Sequence, residues 1–239
     1  MVIVTLAEPS IFFHRRIIKN TLGFYPYIPL MKYRSLIFDF DGTIADTLDE
    51  ALSIYNIMAE EHNLRLIRDD EIHYLRHMKL SDFLDHLAVP KRLVPKLLIK
   101  GTSMLKSRIS RLPLIPGIAD VLPKLSKQSD HFGILTSNSV ENVELFLEHH
   151  GMSDVFSFVS STSKLTGKAK HLRSICRTFS IEPEEIIYIG DEIRDIKAAK
   201  KAGVPVAAVG WGFNSPEALV GMNPNFLFHE PSELHDLLK

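Results

Sequence analysis

The sequence predicts an α/β fold: a Rossmann-like, doubly wound parallel sheet with a small helical domain inserted after the first strand. Three observations predict it. Short segments rich in β-branched and aromatic residues recur along the chain, amphipathic helical patterns separate them, and residues 46–111 carry helical periodicity alone.

The composition sets the frame. A chain of 239 residues accommodates one domain carrying a smaller one. Apolar residues make up 45% and charged residues 24%, the balance of a soluble protein, and no apolar run reaches the ~20 residues of a membrane helix. A net charge of −1 supplies no basic field for nucleic acid, and no membrane partner is expected. The lone Cys176 rules out an internal disulfide and fits a reducing, cytoplasmic location. Oligomeric state leaves no trace in the sequence.

Residues 1–30 read as an N-terminal extension. Arg15, Arg16 and Lys19 follow apolar residues in "SIFFHRRIIKN", a pattern open to a short basic amphipathic helix, but the charges stand in the wrong order for a signal peptide. The preferred reading places the true start at Met31 and leaves 1–30 as a loose or misassigned segment.

The first strand is expected over Tyr33–Phe40, buried on both faces, with Asp39 and Asp41 at its end. The insertion follows at 46–111. Leu48, Leu52, Tyr55, Ala59 and His62 recur at helical spacing, and "DDEIHYLRHM" and "LSDFLDHL" continue in the same style. Placed directly after an Asp-rich strand end, this segment should cover the carboxyl ends of the strands, where open α/β sheets bind ligands. The core is then 31–45 plus 112–239. Pro123 should kink or shorten the helix in "GIADVLPKLSKQ".

Further strands are expected at 131–136, 155–160, 185–190 and 204–210. Between them, "NSVENVELFLEHHG" spaces Asn138 three residues before Glu141, as in a capping box, and ends at Gly151. "GKAKHLRSICRTF" aligns Leu172, Ile175, Cys176 and Phe179 on one face.

Two aspartates at the end of a buried strand are costly unless something compensates them. Asp39 and Asp41 share one side of the strand, so both carboxylates can face one small volume. A divalent cation would relieve their repulsion and keep Asp39 ionised, and an ionised carboxylate held in line is a competent nucleophile towards phosphorus. Gly42 and Thr43 supply a turn whose N–H groups suit an anion. Asp191 and Asp195, in "GDEIRD", end another strand and can complete an oxygen-rich Mg²⁺ site. "ILTSNS" and "TGKAK" add the hydroxyl donors and the lysine that a phosphate group needs beside so many acids.

From about residue 32 to 239 the chain resembles the haloacid dehalogenase-like hydrolases, and most closely the phosphoglycolate phosphatase-like members. "DFDGT", "LTSN", "GK" and "GDEIRD" stand in the family's order, and "PLIPGIADVLPKL" and "WGF" are similar to segments of this subgroup. The resemblance implies a small phosphorylated metabolite as substrate, phosphoglycolate first, and Mg²⁺ as cofactor. It implies Asp39 as the nucleophile forming an aspartyl-phosphate and Asp41 as the acid and then the base. Mg²⁺ would be held by Asp39, the Asp41 main-chain carbonyl and Asp191, with Asp195 in support. Ser137 and Lys168 would hold the phosphoryl group, flanked by Thr136 and Asn138.

Thr136 competes with Ser137, and Lys164 with Lys168; Ser137 and Lys168 are preferred, the latter because it follows Gly167 and begins a helical pattern. Asp41 points to an oxygen leaving group, since members that cleave carbon–halogen bonds or phosphonates lack this acid. Arg76, His77 and Lys79 fall where the family's insertion places its specificity loop, so Arg76 and Lys79 are candidates for an anionic leaving group. Trp211 and Phe213 are candidates to wall the site. A phosphosugar mutase and a catalytically silent binding protein are the alternative functions. His73 and His77 lack a third zinc ligand, "HEPSELH" has the wrong histidine spacing, and "STSKLTGK" lacks the first glycine of a phosphate-binding loop.

Overall fold

The computed structural model describes residues 33–162 and 167–239, together with the backbone of Ile11–Phe13. The remainder of the N-terminal extension, and Lys164, lie outside the described residues. No helix among the described residues is long and apolar enough to cross a membrane.

β1 (Ile11–Phe13) is an edge strand. It corrects, for those three residues, the helix that "SIFFHRRIIKN" allowed. β2 (Ser35–Phe38) is the centre of the sheet and is buried along its whole length. Leu36 and Phe38 enter one core with Phe132, Ile134 and Phe146, while Ile37 enters a second with Leu135, Leu172 and Tyr188. A strand with no polar face can lie only between two helical layers, and that is the interior of a parallel α/β sheet.

The other strands are β3 (His131–Thr136), β4 (Phe158–Ser161), β5 (Ile186–Gly190), β6 (Val206–Val209) and β7 (Phe226–Phe228). The sheet order is β1-β4-β3-β2-β5-β6-β7, with β1 antiparallel to β4 and every other neighbouring pair parallel. β2 pairs on one side with β3, Ser35 opposite His131, and on the other with β5, Ser35 opposite Ile186. The chain therefore reverses its direction of winding at β2 and β5, and the crevice beyond their carboxyl ends is where such sheets place ligands. β7 lacks a signal in the sequence because a three-residue strand is too short to show a period.

The segment after β2 is helical as expected: α1 (Leu48–Glu61), α2 (Ile72–Leu75), α3 (Leu80–His86) and α4 (Val94–Lys106). It has its own apolar cluster, in which Ile54, Tyr55 and Met58 of α1 meet Leu75, Leu87 and Leu97. "DDEIHYLRHM" forms a 3₁₀ turn and the single turn of α2 in place of one longer helix. The chain leaves and re-enters the core side by side: Asp46 N–H donates to Pro113 O at 2.9 Å, and Ile115 N–H to Ile44 O at 2.9 Å.

α5 (Ile118–Gln128) runs through Pro123 without ending there. α6 (Val140–His149), α7 (Lys168–Phe179), α8 (Ile193–Ala202) and α9 (Pro216–Val220) complete the layers. The cap of α6 is Ser139, whose hydroxyl accepts from Asn142 N–H at 3.3 Å. Asn138, which the spacing offered as the cap, is thereby free for another partner.

Candidate active site

The strand ends converge. Asp39 follows β2, Asp191 follows β5, Ser137 and Asn138 follow β3, and Lys168 is the first residue of α7. Lys168 occupies the apolar face of α7, one turn before Leu172, so the packing of that helix carries its ammonium inside, 2% exposed.

There Lys168 Nζ donates to Asp39 Oδ2 at 2.5 Å and to Asp195 Oδ1 at 2.6 Å, above the ring of Tyr188 at 5.5 Å from its centroid. Burial opposes the ammonium charge, but Asp195 and Asp39 together raise its pKa above the ordinary lysine value. Burial likewise works against the carboxylate of Asp195, which Lys168 and Arg194 nevertheless hold below its usual range. Lys168 and Arg194 together do not offset the burial of every acid here. Burial pushes Asp39 up to about 8, against the pull of Lys168. Burial, with Glu192, Asp39 and Asp195 nearby, pushes Asp191 well above the carboxylate range.

Carboxylate oxygens of Asp39, Asp191 and Asp195 lie within 4.8 Å of one another. Three buried hard oxygen donors carrying more negative charge than Lys168 neutralises fit a small divalent cation such as Mg²⁺. The surroundings fix the donors. Asp191 accepts from Thr43 Oγ1 at 2.7 Å and from Phe213 N–H at 2.7 Å, and Asp195 accepts from Glu192 N–H at 3.1 Å. Gly212 passes so close to the Asp191 carboxylate that a Cβ there would overlap it. Gly42 has φ +74°, which favours glycine, and faces the same carboxylate.

Asp41 stands outside this group. Asn138 Nδ2 donates to both of its oxygens at 3.3 Å, and Asn142 Nδ2 holds Asn138 Oδ1 at 2.7 Å. Burial raises Asp41 to about 6, and the Asn138 hydrogen bond limits that rise. Asp41 and Ser137 line a cavity of about 350 Å³ between the sheet and the helical segment. Thr136 does not line it: its hydroxyl accepts from Asn138 N–H at 2.9 Å and is fully buried.

Four of the sequence-derived ligand residues have other partners. Gly42 N–H donates to Ala45 O at 2.9 Å and Thr43 N–H to Phe40 O at 3.2 Å, so closing the turn uses the two donors expected for an anion. Lys79 lies on the surface against Asp82 at 3.5 Å, outside the cavity lining. Arg76 borders the cavity, but its guanidinium donates to Gly210 O at 3.1 Å, Gly212 O at 2.7 Å and Phe213 O at 3.4 Å. Phe213 lines the cavity, whereas Trp211 Nε1 donates to Thr43 O at 3.2 Å.

Sequence reasoning missed Arg194 and Asn214. Arg194 pairs with Glu192, both border the cavity, and its Nε–H is buried without a partner. It sits inside "GDEIRD", where a single arginine between acids reads as an ordinary exposed helix charge. Asn214 accepts from Ile193 N–H at 2.9 Å and donates to Arg76 O at 2.9 Å and Met78 O at 2.8 Å, tying the helical segment to the core. No local pattern announces such a contact.

Residues 36–209 match the family model described as "Haloacid dehalogenase-like hydrolase". The chain is 33% identical over 201 residues to a phosphoglycolate phosphatase of Synechococcus elongatus, covering 84% of this chain and 95% of that one. It is 25% identical over 207 residues to an N-acetylmuramic acid 6-phosphate phosphatase of Pseudomonas putida, covering 82% and 89%. Among solved structures, a haloacid dehalogenase-like family hydrolase from Streptococcus pneumoniae superimposes with a TM-score of 0.75 at 21% identity, over 88% of this chain and all of that one.

Proposed function

Since the chain belongs to the haloacid dehalogenase-like hydrolases, we propose that it is a Mg²⁺-dependent phosphomonoester hydrolase acting through an aspartyl-phosphate on a small phosphorylated metabolite. The observation that carries this reading is the division of labour between two aspartates two residues apart. Asp39 is buried against Lys168, while Asp41 is held over the cavity by Asn138 with a carboxyl near 6.

An Asp39 carboxylate oxygen attacks phosphorus, and the bond from phosphorus to the ester oxygen breaks. Asp41, protonated, gives its proton to the departing alkoxide. The Asp41 carboxylate then takes a proton from water, whose oxygen attacks phosphorus and breaks the bond to Asp39, releasing inorganic phosphate. A carboxyl poised near 6 is suited to both transfers near neutral pH. Ser137 and Lys168 hold the phosphoryl oxygens, and the Nε–H of Arg194 is a further donor for them. Asp39, the Asp41 main-chain carbonyl and Asp191, backed by Asp195, would hold the Mg²⁺, which when bound supplies positive charge to the phosphoryl oxygens.

The helical segment acts as a cap, with domain limits of 46–111 for the cap and 31–45 plus 112–239 for the core. It closes the site against water except at the hydrolytic position.

Phosphate release from a panel of phosphomonoesters that includes phosphoglycolate, with Mg²⁺ or EDTA, tests the reading. Turnover that needs Mg²⁺ and is lost in Asp39→Asn is expected. Turnover retained in Asp39→Asn would overturn the mechanism.

A further inference from the structure

The cavity above Asp41 has two ends of opposite chemistry. The core end carries Asp41, Ser137 and the Glu192–Arg194 pair. The far end is built by the helical segment from apolar side chains: Ala51, Tyr55 and Met58 of α1, Phe83 of α3 and Leu97 of α4. Tyr55 turns its hydroxyl to Arg65 O at 3.0 Å and leaves its ring to the wall. α4 is drawn close against α1 in this wall at a cost to the helix. Gly101 sits inside α4, where glycine is about 1 kcal/mol worse than alanine, and a Cβ at that position would approach Met58 Cε at 3.3 Å.

A small anionic leaving group finds little to meet in this space. Among the described lining residues the cations are Arg76 and Arg194; Arg76 Nε and Nη2 are engaged by the carbonyls of residues 210, 212 and 213, and Arg194 is paired through Nη2 with Glu192 and directs its remaining Nε–H to the phosphoryl group in the proposed reaction. Desolvating a carboxylate against apolar walls without a partner is costly, whereas an alkyl or aryl group gains from the same walls. Thr47, fully buried at the start of α1, also lines the cavity, and its hydroxyl has no partner. It offers one hydrogen bond to the ester oxygen or to an isolated hydroxyl.

We infer that the preferred substrates are phosphomonoesters of apolar alcohols, the phosphoryl group over Asp39 and the hydrocarbon in the cap end of the cavity. This rests on the phosphomonoesterase reading and adds the class of the leaving group. The cavity continues directly from Asp41, so an occupant of its apolar end is placed to receive the proton as it departs.

The test is a chain-length series of ethyl, butyl, hexyl and octyl phosphate beside phosphoglycolate, all with Mg²⁺. It reads phosphate release and, by calorimetry with Asp39→Asn, binding. These alcohols differ little in acidity, so the series reports the pocket. Expected is a rise in kcat/KM of about fourfold per methylene until the cavity is filled, the equivalent of ~0.8 kcal/mol per CH₂, with hexyl phosphate turned over more efficiently than phosphoglycolate. Ala51→Leu, which enlarges a side chain already on the cavity wall, should lower the hexyl-to-ethyl ratio at least tenfold. A flat series with turnover, or phosphoglycolate ahead of every alkyl phosphate, overturns the inference and leaves the hydrolase reading standing. Chain-length-dependent binding without phosphate release from any ester overturns the hydrolase reading and supports the pocket.

Discussion

Arg76 Nη2 donates to the carbonyl oxygen of Gly212 at 2.7 Å, joining the helical segment to a core loop 136 residues later in the chain. The same loop supplies Phe213 N–H to Asp191 and Asn214 Nδ2 to the carbonyls of Arg76 and Met78. Position of the cap and position of a candidate metal ligand therefore share one short stretch of backbone.

Removing Arg76 should loosen both. Arg76→Ala is expected to cost about 1.5–3 kcal/mol of stability, the range for hydrogen bonds from a charged donor. It should also weaken Mg²⁺ binding, as Phe213 N–H loses its fixed aim at Asp191. Calorimetric titration of Mg²⁺ into the variant decides this; unchanged affinity would separate the two roles of the loop.

Lys168→Met removes the ammonium that bridges Asp39 and Asp195. Taking one partner from a buried charge pair typically costs about 3–5 kcal/mol. Denaturant unfolding should show a loss of that order, and kcat should fall by at least about a hundredfold, as for other fixed donors to a transition-state charge. A stable variant with near-normal kcat would remove Lys168 from the proposed chemistry.

Stability of the metal-free protein should fall as pH rises from about 4 to 8. Burial raises Asp39 to about 8 and Asp41 to about 6, and raises Asp191 as well, above an unfolded value of ~3.9. Between those limits the folded state binds more protons than the unfolded chain, so unfolding becomes easier with each step up in pH. Asp195, held low, and Lys168, held high, act only below ~4 and above ~10. Mg²⁺ favours the ionised carboxylates, and its increment in Tm should therefore grow from pH 5 to pH 8. Thermal melts in EDTA and in MgCl₂ across that range measure both trends, and an increment independent of pH would contradict the carboxylate cluster as the metal site.

Asn138→Ala should move the pH profile. Burial sets the carboxyl of Asp41 near 6, and the amide of Asn138 restrains it from rising further. With Asp41 required as an acid in the first step, the alkaline limb of kcat/KM is expected to shift upward by up to about one pH unit, since one unit equals ~1.4 kcal/mol. A limb that stays in place would assign the proton to another group.

The clustered acids were legible as a group because strand ends and helix starts have local signatures. Asp39, Asp191 and Asp195 each close or follow a buried apolar run, and Lys168 opens a helical pattern after Gly167. Asn138 was legible as a polar residue before a helix but not in its role, because the Asn138–Ser139 pair offers two caps and only packing decides that Ser139 takes the turn. The partners of Arg76 were invisible for a different reason: main-chain carbonyls at 210, 212 and 213 carry no side-chain signature. The apolar cavity was hidden too, since Ala51, Met58 and Leu97 have the spacing of ordinary core residues and nothing local tells a filled core from an open one.

The paired exit and return of the helical segment, with Asp46 bonded to Pro113 and Ile44 to Ile115, has a consequence for how such a chain can change over time. Both ends of the insertion cross the boundary one hydrogen bond apart, so a replacement of any length that begins and ends at adjacent points leaves the strand order untouched, while Asp191 keeps its setting only if the new segment again holds the loop at 210–214 as Arg76 does. The insertion and the strand ends can thus diversify by different routes, the first by exchange of a cassette that keeps this one contact and the second by single substitutions.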